Sequence, residues 1–280
     1  MKSKLFVIGK PITHSMSPTI HNFWIEKYSL NASYHKLEVD KKELRYLIKD
    51  LRENKIKGFN VTIPYKKVII DFVDELEISA SKSKAVNTVY KVKDKIIGTN
   101  TDGIGFISSL QKDLNFHFDS NTNVMCIGAG GAAYGIVSSL IDFNPNIIKI
   151  INRTQSSGIK LIKHFQKFTG SKKTFEANLM GYKPDYHIDL LINCTSCGMN
   201  GKNPLDVDLS SMKKNSLVYD LIYKPTMTPL MKVARGKKLN YTNGFYMLAR
   251  QAAESFYRWF GVKPEDSHVK EVIRMLKKND

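Results

Sequence analysis

The chain of 280 residues is poor in cysteine and tryptophan and has no long apolar run. Its three cysteines are an odd number. Cys194 and Cys197 stand at C-x-x-C spacing, but no second pair supplies the four ligands of a structural zinc site, and Cys126 lies in an apolar stretch. All three read as reduced thiols, and no metal is expected. No apolar segment is long enough to span a bilayer, and Met1-Lys-Ser-Lys leads into a short strand without a signal peptide. The expectation is a cytoplasmic protein with no membrane partner. Repeats and low-complexity segments are missing too. The net charge of +17 could suggest nucleic acid, yet there is no arginine-rich tail and no aromatic-studded basic stripe. The excess is nearly all lysine, spread along the chain, so no nucleic-acid partner is expected. A positive field of that kind still draws in small polyanions.

What is present is a chain long enough for two domains, with 42% hydrophobic and 25% charged residues. One stretch organises the first part, Asn60-Val-Thr-Ile-Pro-Tyr-Lys66. A strand from Lys57 to Thr62 ends at Pro64, which cannot donate to a sheet ladder. The chain should then start a short helix at Tyr65, with a helical pattern over Lys67 to Leu76. An amide, a hydroxyl and an ammonium (Asn60, Thr62, Lys66) thereby gather at one strand end, where open α/β sheets hold their ligands. Upstream, Ser17 followed by Pro18 reads as a helix start with Ser17 as N-cap. Ser15 and Ser17 then either cap this helix or place hydroxyls where a carboxylate binds. Asp40 with Glu43 reads as a capping box. Asn87 lies in an apolar strand, as a structural hydrogen-bonder or a ligand contact. Asp102 either caps the helix carrying Phe106 and Leu110 or faces Lys66 across a cleft. His14 reads as a loop residue.

A second pattern starts at Val124-Met-Cys-Ile127, an apolar strand followed by Gly128-Ala-Gly-Gly-Ala-Ala133 and a helix through Leu140. This is the G-x-G-x-x-A fingerprint of dinucleotide-binding folds, with a further strand Ile147–Ile151 in the required place. That strand ends in Asn152-Arg153-Thr154. An NAD site usually carries an acid there for the ribose 2′-hydroxyl, whereas Arg153 and Thr154 would pair with the 2′-phosphate of NADP. Further strands are expected at Ile188–Asn193, Leu217–Asp220 and Leu239–Thr242. A helix should begin at Thr228-Pro and another cover Phe245–Phe260, with Gln251 as its polar exception.

Taken together, the sequence resembles the shikimate dehydrogenases. The resemblance covers nearly the whole chain. It rests on Pro11-Ile-x-His-Ser-x-Ser-Pro18 with His21-Asn22, on Asn60-Val-Thr-x-Pro-x-Lys66, and on Ala85-Val-Asn-Thr88 and Asn100-Thr-Asp-Gly103. Gly128-Ala-Gly-Gly131, Asn152-Arg-Thr154, Asn193-x-Thr-Ser-x-Gly-Met199, Thr228-Pro-Leu230, Asn243-Gly244 and Met247-Leu-x-x-Gln251 continue it. The family likeness implies NADPH-dependent reduction of 3-dehydroshikimate to shikimate, a step of aromatic amino-acid biosynthesis. It implies an α/β catalytic domain (1–103 with 243–280), a Rossmann NADP-binding domain (104–242) and a cleft between them. By motif, Ser15 and Ser17 hold the substrate carboxylate. Thr62, Asn87, Asp102 and Gln251 take the ring hydroxyls, and Tyr223 lines the site. Gly128, Ala129, Gly130, Gly131 and Ala132, with Asn152, Arg153 and Thr154, hold the cofactor, and Leu221 and Gly244 meet its nicotinamide end. Lys66 and Asp102 are the catalytic candidates, and the assembly is a monomer or homodimer.

Two departures stand out. Ser156-Ser-Gly158 replaces a second basic residue that the family often carries, with Lys160 just beyond, and Ile78 replaces a glutamate. Two competing readings are an NAD-linked quinate/shikimate dehydrogenase and a non-catalytic basic binding protein on the same fold. The first tends to carry Asp near the end of the second Rossmann strand and Ser in place of Thr62, neither of which occurs here. Retention of Lys66 and Asp102 argues against the second. The methyl of Thr62 is expected to reach into the site and disfavour quinate, which has an extra hydroxyl at its carboxylate-bearing carbon, by ~1–3 kcal/mol.

Overall fold

The structure, a computed structural model, describes residues 2–169, 174–178, 181, 186–199, 205 and 207–278. It forms two compact units, Met1–Ser109 with Met247–Asn279, and Leu110–Tyr246.

The first unit is built on a six-stranded mixed sheet. Its strands are β1 (Ser3–Gly9), β2 (Ala32–Glu38), β3 (Gly58–Val61), β4 (Glu75–Leu76), β5 (Thr88–Val92) and β6 (Lys95–Thr99), in the order β2-β1-β3-β5-β6-β4. β1 runs parallel to β2 and β3, while β5 and β6 form an antiparallel hairpin. Helix α1 (Ser17–Lys27) follows β1 and α2 (Leu44–Arg52) follows β2. In α2 the apolar residues Leu44, Leu47, Ile48 and Leu51 recur on one face, and that face packs with Ile8, Phe59, Val61 and Ile96. Ahead of α2, the Glu43 carboxylate accepts the Asp40 N–H at 2.6 Å, as the capping pattern indicates. Helix α3 (Ile78–Ser83) leads towards β5, and α4 starts at Asp102 and ends at Asp113. After the second unit the chain returns as α8 (Phe245–Phe260) and α9 (Asp266–Lys278). The indole N–H of Trp24 on α1 donates to the carbonyl of His268 on α9, which ties the C-terminal helix to the N-terminal one.

Two local expectations are corrected here. Ser17 is the first residue of α1 and not its cap: the hydroxyl of Ser15 accepts the Ser17 N–H at 3.3 Å. The segment 67–76 is not one α-helix. It is a 3₁₀ turn over Val68–Phe72 followed by β4, which pairs with β6 through Glu75–Ile97 and Leu76–Gly98. The β-branched run Val68-Ile-Ile70 crowds a regular helix, and a sheet edge needing a partner captures the chain instead.

The second unit holds a six-stranded sheet in which every pairing is parallel. Its strands are β7 (Asn123–Ile127), β8 (Ile147–Ile151), β9 (Thr174–Asn178), β10 (Ile188–Asn193), β11 (Met212–Asp220) and β12 (Asn240–Thr242). The order β9-β8-β7-β10-β11-β12 is the 3-2-1-4-5-6 arrangement of the Rossmann fold, with its reversal point between β7 and β10. Strands buried on both faces read as continuous apolar runs, as β7, β8 and β10 do. Two charged residues interrupt them, Asp189 in β10 and Lys149 in β8; Lys149 is fully buried and is paired with Glu176 on β9. Helices α5 (Gly131–Leu140), α6 (Gln155–Thr169) and α7 (Pro229–Gly236) complete the unit. α6 buries Gly158, Leu161, Ile162 and Phe165, a helical spacing that the sequence displays plainly.

Candidate active site

In the first unit the turn after β3 delivers Lys66, whose carbonyl accepts the Val86 N–H at 2.8 Å. Its ammonium lies 2.6 Å from Asp102 Oδ2, with only 19% and 8% of the two side chains exposed. Asp102 does not spend its carboxylate on its own helix. The Asn100 side chain accepts the Asp102 N–H at 3.0 Å and is itself held by donating to the Ala85 carbonyl at 2.9 Å. The capping task has moved two residues upstream, which leaves Asp102 free to face Lys66. A charge-assisted pair this shielded from water is far stronger than one on the surface.

Asn87 is nearly fully buried and donates to Asp102 Oδ1 at 2.8 Å and to Thr101 Oγ1 at 2.9 Å. Gln251 Oε1 lies 3.3 Å from both Asn87 Nδ2 and Thr101 Oγ1. Gln251 gets there because Gly105 in α4 has no side chain: a Cβ at that position would lie 2.5 Å from the Gln251 backbone nitrogen. The structure thus joins Lys66, Asn87, Asp102 and Gln251 in one cluster. Ser15 and Ser17 meet each other, with their hydroxyls 3.3 Å apart.

Thr62 departs from expectation. A Cβ built on Gly9 would lie 2.5 Å from the Thr62 methyl carbon, so the methyl packs over Gly9 and Thr62 N–H donates to the Ile8 carbonyl at 2.9 Å. The methyl is committed to the sheet, where it fixes the side-chain rotamer and so aims the hydroxyl.

His21 of the same unit is fully buried and stacks on Tyr34 with ring centroids 4.3 Å apart. Among the described residues no hydrogen-bond partner meets either ring nitrogen. Burial pushes its pKa down to about 3, an effect that the nearby Asn60 amide only partly offsets. The folded protein therefore keeps the ring neutral while the unfolded chain takes up a proton below about pH 6.5. This stability is fully present above pH 6.5 and is lost as pH falls from there towards 3. Between pH 7.5 and 5 the loss should be about 2 kcal/mol. Urea unfolding of the protein and of His21→Phe at both pH values measures it, and an equal pH dependence in the two would contradict it.

The second unit carries a glycine-rich loop between β7 and α5. β7 is followed by Gly128, whose φ of +108° suits glycine and whose absent side chain makes room for the Thr195 methyl, 2.8 Å from a hypothetical Cβ. α5 begins three residues later at Gly131. Around Gly130 and Gly131 a Cβ would meet nothing within 4 Å, so Gly128, Ala129, Gly130, Gly131 and Ala132 frame open space before a helix N-terminus. That geometry fits a pyrophosphate. Asn152, Arg153 and Thr154 follow β8. Arg153 and Thr154 are exposed, and the Asn152 amide donates to the Thr154 carbonyl at 2.8 Å.

At the end of β10, Asn193 accepts from both the N–H and the hydroxyl of Thr195 and donates to Asp220 Oδ1 at 2.9 Å. Asp220 is buried, which pushes its carboxyl pKa up, and it also accepts from the Thr228 hydroxyl at 2.7 Å. Asn193, Thr195 and Thr228, from two of the motifs that carry the resemblance, therefore brace the strand ends through Asp220. Gly244 abuts Leu221, whose carbonyl oxygen would lie 2.2 Å from a Cβ there. Tyr223 stacks on Phe245 with centroids 5.9 Å apart, and burial raises its phenol pKa. Ile78, the departure noted above, is 84% exposed. A cavity of about 570 Å³, lined by His117, Thr122, His187, Asp189 and Lys213, lies at the starts of β7, β10 and β11. Ligands of parallel sheets sit at the opposite, carboxyl ends, so this is not the cofactor site.

All three cysteines are free, and among the described residues no group of three or more His, Cys, Asp or Glu could hold a metal. No helix among them is long and apolar enough to cross a membrane.

Comparison with known proteins places the chain among relatives of one family. The shikimate dehydrogenase substrate binding domain matches residues 7–89, and the shikimate 5′-dehydrogenase C-terminal domain matches residues 244–274. Shikimate dehydrogenase (NADP(+)) of Pelagibacter ubique is 38% identical over 95% of this chain and 96% of its own. The chain belongs to the shikimate dehydrogenase family. Among solved members, a shikimate dehydrogenase in complex with NADP+ superposes with a TM-score of 0.88 at 33% identity, over 98% of this chain and 95% of the other. The enzyme of Thermus thermophilus, in complex with NADP(H) and shikimate, has a TM-score of 0.82 at 27% identity over 98% and 99%.

The first of the two family matches contains Ser15, Ser17, Thr62, Lys66 and Asn87, and the second contains Gln251. Sequence reasoning passed over Thr101, Thr88 and Ser255, which surround Asn87. Their signal was available in part: a hydroxyl on the helix face that carries Gln251 sits at i+4, as Ser255 does.

Proposed function

We propose that this protein is an NADP-dependent shikimate dehydrogenase, interconverting 3-dehydroshikimate and shikimate in aromatic amino-acid biosynthesis. The observation that carries the reading is the shielded Lys66–Asp102 pair at 2.6 Å, bound on its other side by Asn87. Reduction of the ketone needs a proton on the oxygen that becomes the hydroxyl. Lys66, as an ammonium, donates that proton, and in the reverse direction the neutral amine accepts it. Asp102 orients Lys66 and a substrate hydroxyl. Asn87, Gln251 and Thr62 take the remaining hydroxyls, and Ser15 with Ser17 take the carboxylate. Tyr223 lines the substrate site, and Leu221 and Gly244 meet the nicotinamide. The substrate-binding domain is assigned to 1–103 with 243–280 and the cofactor domain to 104–242, in a monomer or homodimer of the cytoplasm. The glycine loop and Arg153 are the residues that would hold NADPH, which supplies the hydride when bound.

The direct test is absorbance at the reduced-cofactor band with shikimate plus NADP or NAD. Rapid reduction of NADP is expected, and no turnover of shikimate with either cofactor would overturn the reading. Shikimate should also be strongly preferred over quinate. Because the Thr62 methyl packs on Gly9, Thr62→Ser is expected to leave quinate turnover low while weakening shikimate kcat/KM by roughly 2- to 10-fold, the scale of a loosened contact. A large gain of quinate kcat/KM in Thr62→Ser would show that the methyl does act as a steric block.

A further inference from the structure

Behind Asn87 runs a buried chain of hydroxyls and amides on the side away from Lys66. Tyr34 O–H donates to Asn60 Oδ1 at 2.6 Å. Burial raises the Tyr34 phenol pKa well above its ordinary value, so this oxygen stays a donor. The amide of Asn60 is thereby fixed, with Nδ2 facing Thr88 Oγ1 at 3.0 Å and Ser255 Oγ at 3.1 Å. Thr88 Oγ1 lies 2.7 Å from Ser255 Oγ and 2.9 Å from Asn87 Oδ1. An amide oxygen only accepts, so the single Thr88 proton goes to Asn87, and Thr88 Oγ1 accepts from the Asn60 amide. The Ser255 hydroxyl has two acceptors within reach, Thr88 Oγ1 at 2.7 Å and the Gln251 carbonyl at 3.2 Å. The Thr101 N–H adds a second donor to Asn87 Oδ1 at 2.8 Å.

With its oxygen held by these two donors, the Asn87 amide has one stable orientation. Flipped, it would set N–H against the Thr101 N–H and oxygen against the Asp102 carboxylate. In the orientation observed, Nδ2 donates to Asp102 Oδ1 and leaves Oδ2 to Lys66. Thr88 and Ser255 are both fully buried, with no exposed surface for any other task.

We infer that Thr88 and Ser255 are positioning residues for the reaction: they set the Asn87 amide, and through it the carboxylate that aligns Lys66. This rests on the dehydrogenase reading given above. The test measures kcat and KM of the full chain with shikimate and NADP+ for Thr88→Val, Thr88→Ser and Ser255→Ala, each also in a Lys66→Ala background. Thr88→Val and Ser255→Ala should each lower kcat roughly tenfold, the scale of coupling between contacting residues, with KM for NADP+ unchanged. Thr88→Ser, which keeps the hydroxyl, should recover kcat to within about twofold. In the Lys66→Ala background Thr88→Val should lower kcat much less, because the route through Lys66 has been removed and only the contacts of Asn87 and Asp102 with substrate remain to be disturbed. If Thr88→Ser is as impaired as Thr88→Val, or if the loss persists in full without Lys66, the two residues serve packing alone and the inference fails. Should Thr88→Val not fold, Ser255→Ala with and without Lys66 decides the same question. An unmodified chain inactive on shikimate overturns the functional reading instead.

Discussion

Replacing Lys66 with alanine lowers kcat for shikimate oxidation by roughly 10²–10⁴-fold, the usual range for losing an acid/base group, and changes KM for shikimate much less. The reason lies in how the pair is built. Lys66 stands 2.6 Å from a carboxylate that is 8% exposed, and the Asn87 amide holds the other oxygen of that carboxylate. Removing the ammonium would take away the proposed proton donor without removing the groups assigned to the ring hydroxyls. Lys66→Arg sharpens the test. A guanidinium keeps the charge and can still pair with Asp102, but it does not give up a proton. Its kcat should therefore stay close to that of the alanine variant. Steady-state kinetics on both variants checks this. A steep rise in KM with kcat preserved would make Lys66 a binding residue and remove it from the chemistry.

Arg153→Asp should weaken NADPH binding by a few kcal/mol, on the order of 10²-fold or more, while NADH binding holds or improves. Arg153 is exposed just beyond β8, the place where a carboxylate would select the free ribose hydroxyl of NAD. The substitution removes a charge-assisted contact to a 2′-phosphate and adds repulsion. Because Ser156 and Ser157 occupy the first turn of α6 where a second basic residue is common in the family, Arg153 would carry this selectivity with little help. Fluorescence titration of the unmodified protein and of Arg153→Asp with NADPH and NADH measures the change. Equal turnover with NAD and NADP in the unmodified protein would refute the assignment.

The second unit was largely legible from residues near one another in the chain. A Rossmann half consists of local units, each an apolar strand, a glycine turn and a helix, and each leaves its signature within about 30 residues. β8 and β10 coincide with the apolar runs Ile147–Ile151 and Ile188–Asn193, and the fingerprint at Gly128 meets its turn and helix. The first unit was harder. The pattern over Lys67 to Leu76 reads as helical, but the edge of the sheet draws the end of this segment into β4, a choice made by a partner more than 20 residues away in β6. At the site, the sequence named the chemistry-bearing types, Lys66, Asn87, Asp102 and Gln251, because buried polar residues beside glycine and proline are unusual in apolar segments. It left open whether Asp102 capped its helix or faced Lys66. Only the fold decided that, through Asn100 taking over the cap and so releasing the carboxylate. Nor could spacing reveal that Thr88 and Ser255, 167 positions apart, share a hydrogen bond behind Asn87, or that the Thr62 methyl rests on Gly9. Residue type determines which atoms can donate, accept or carry charge. Which of them end within 3 Å of each other depends on long-range packing, which no local pattern encodes.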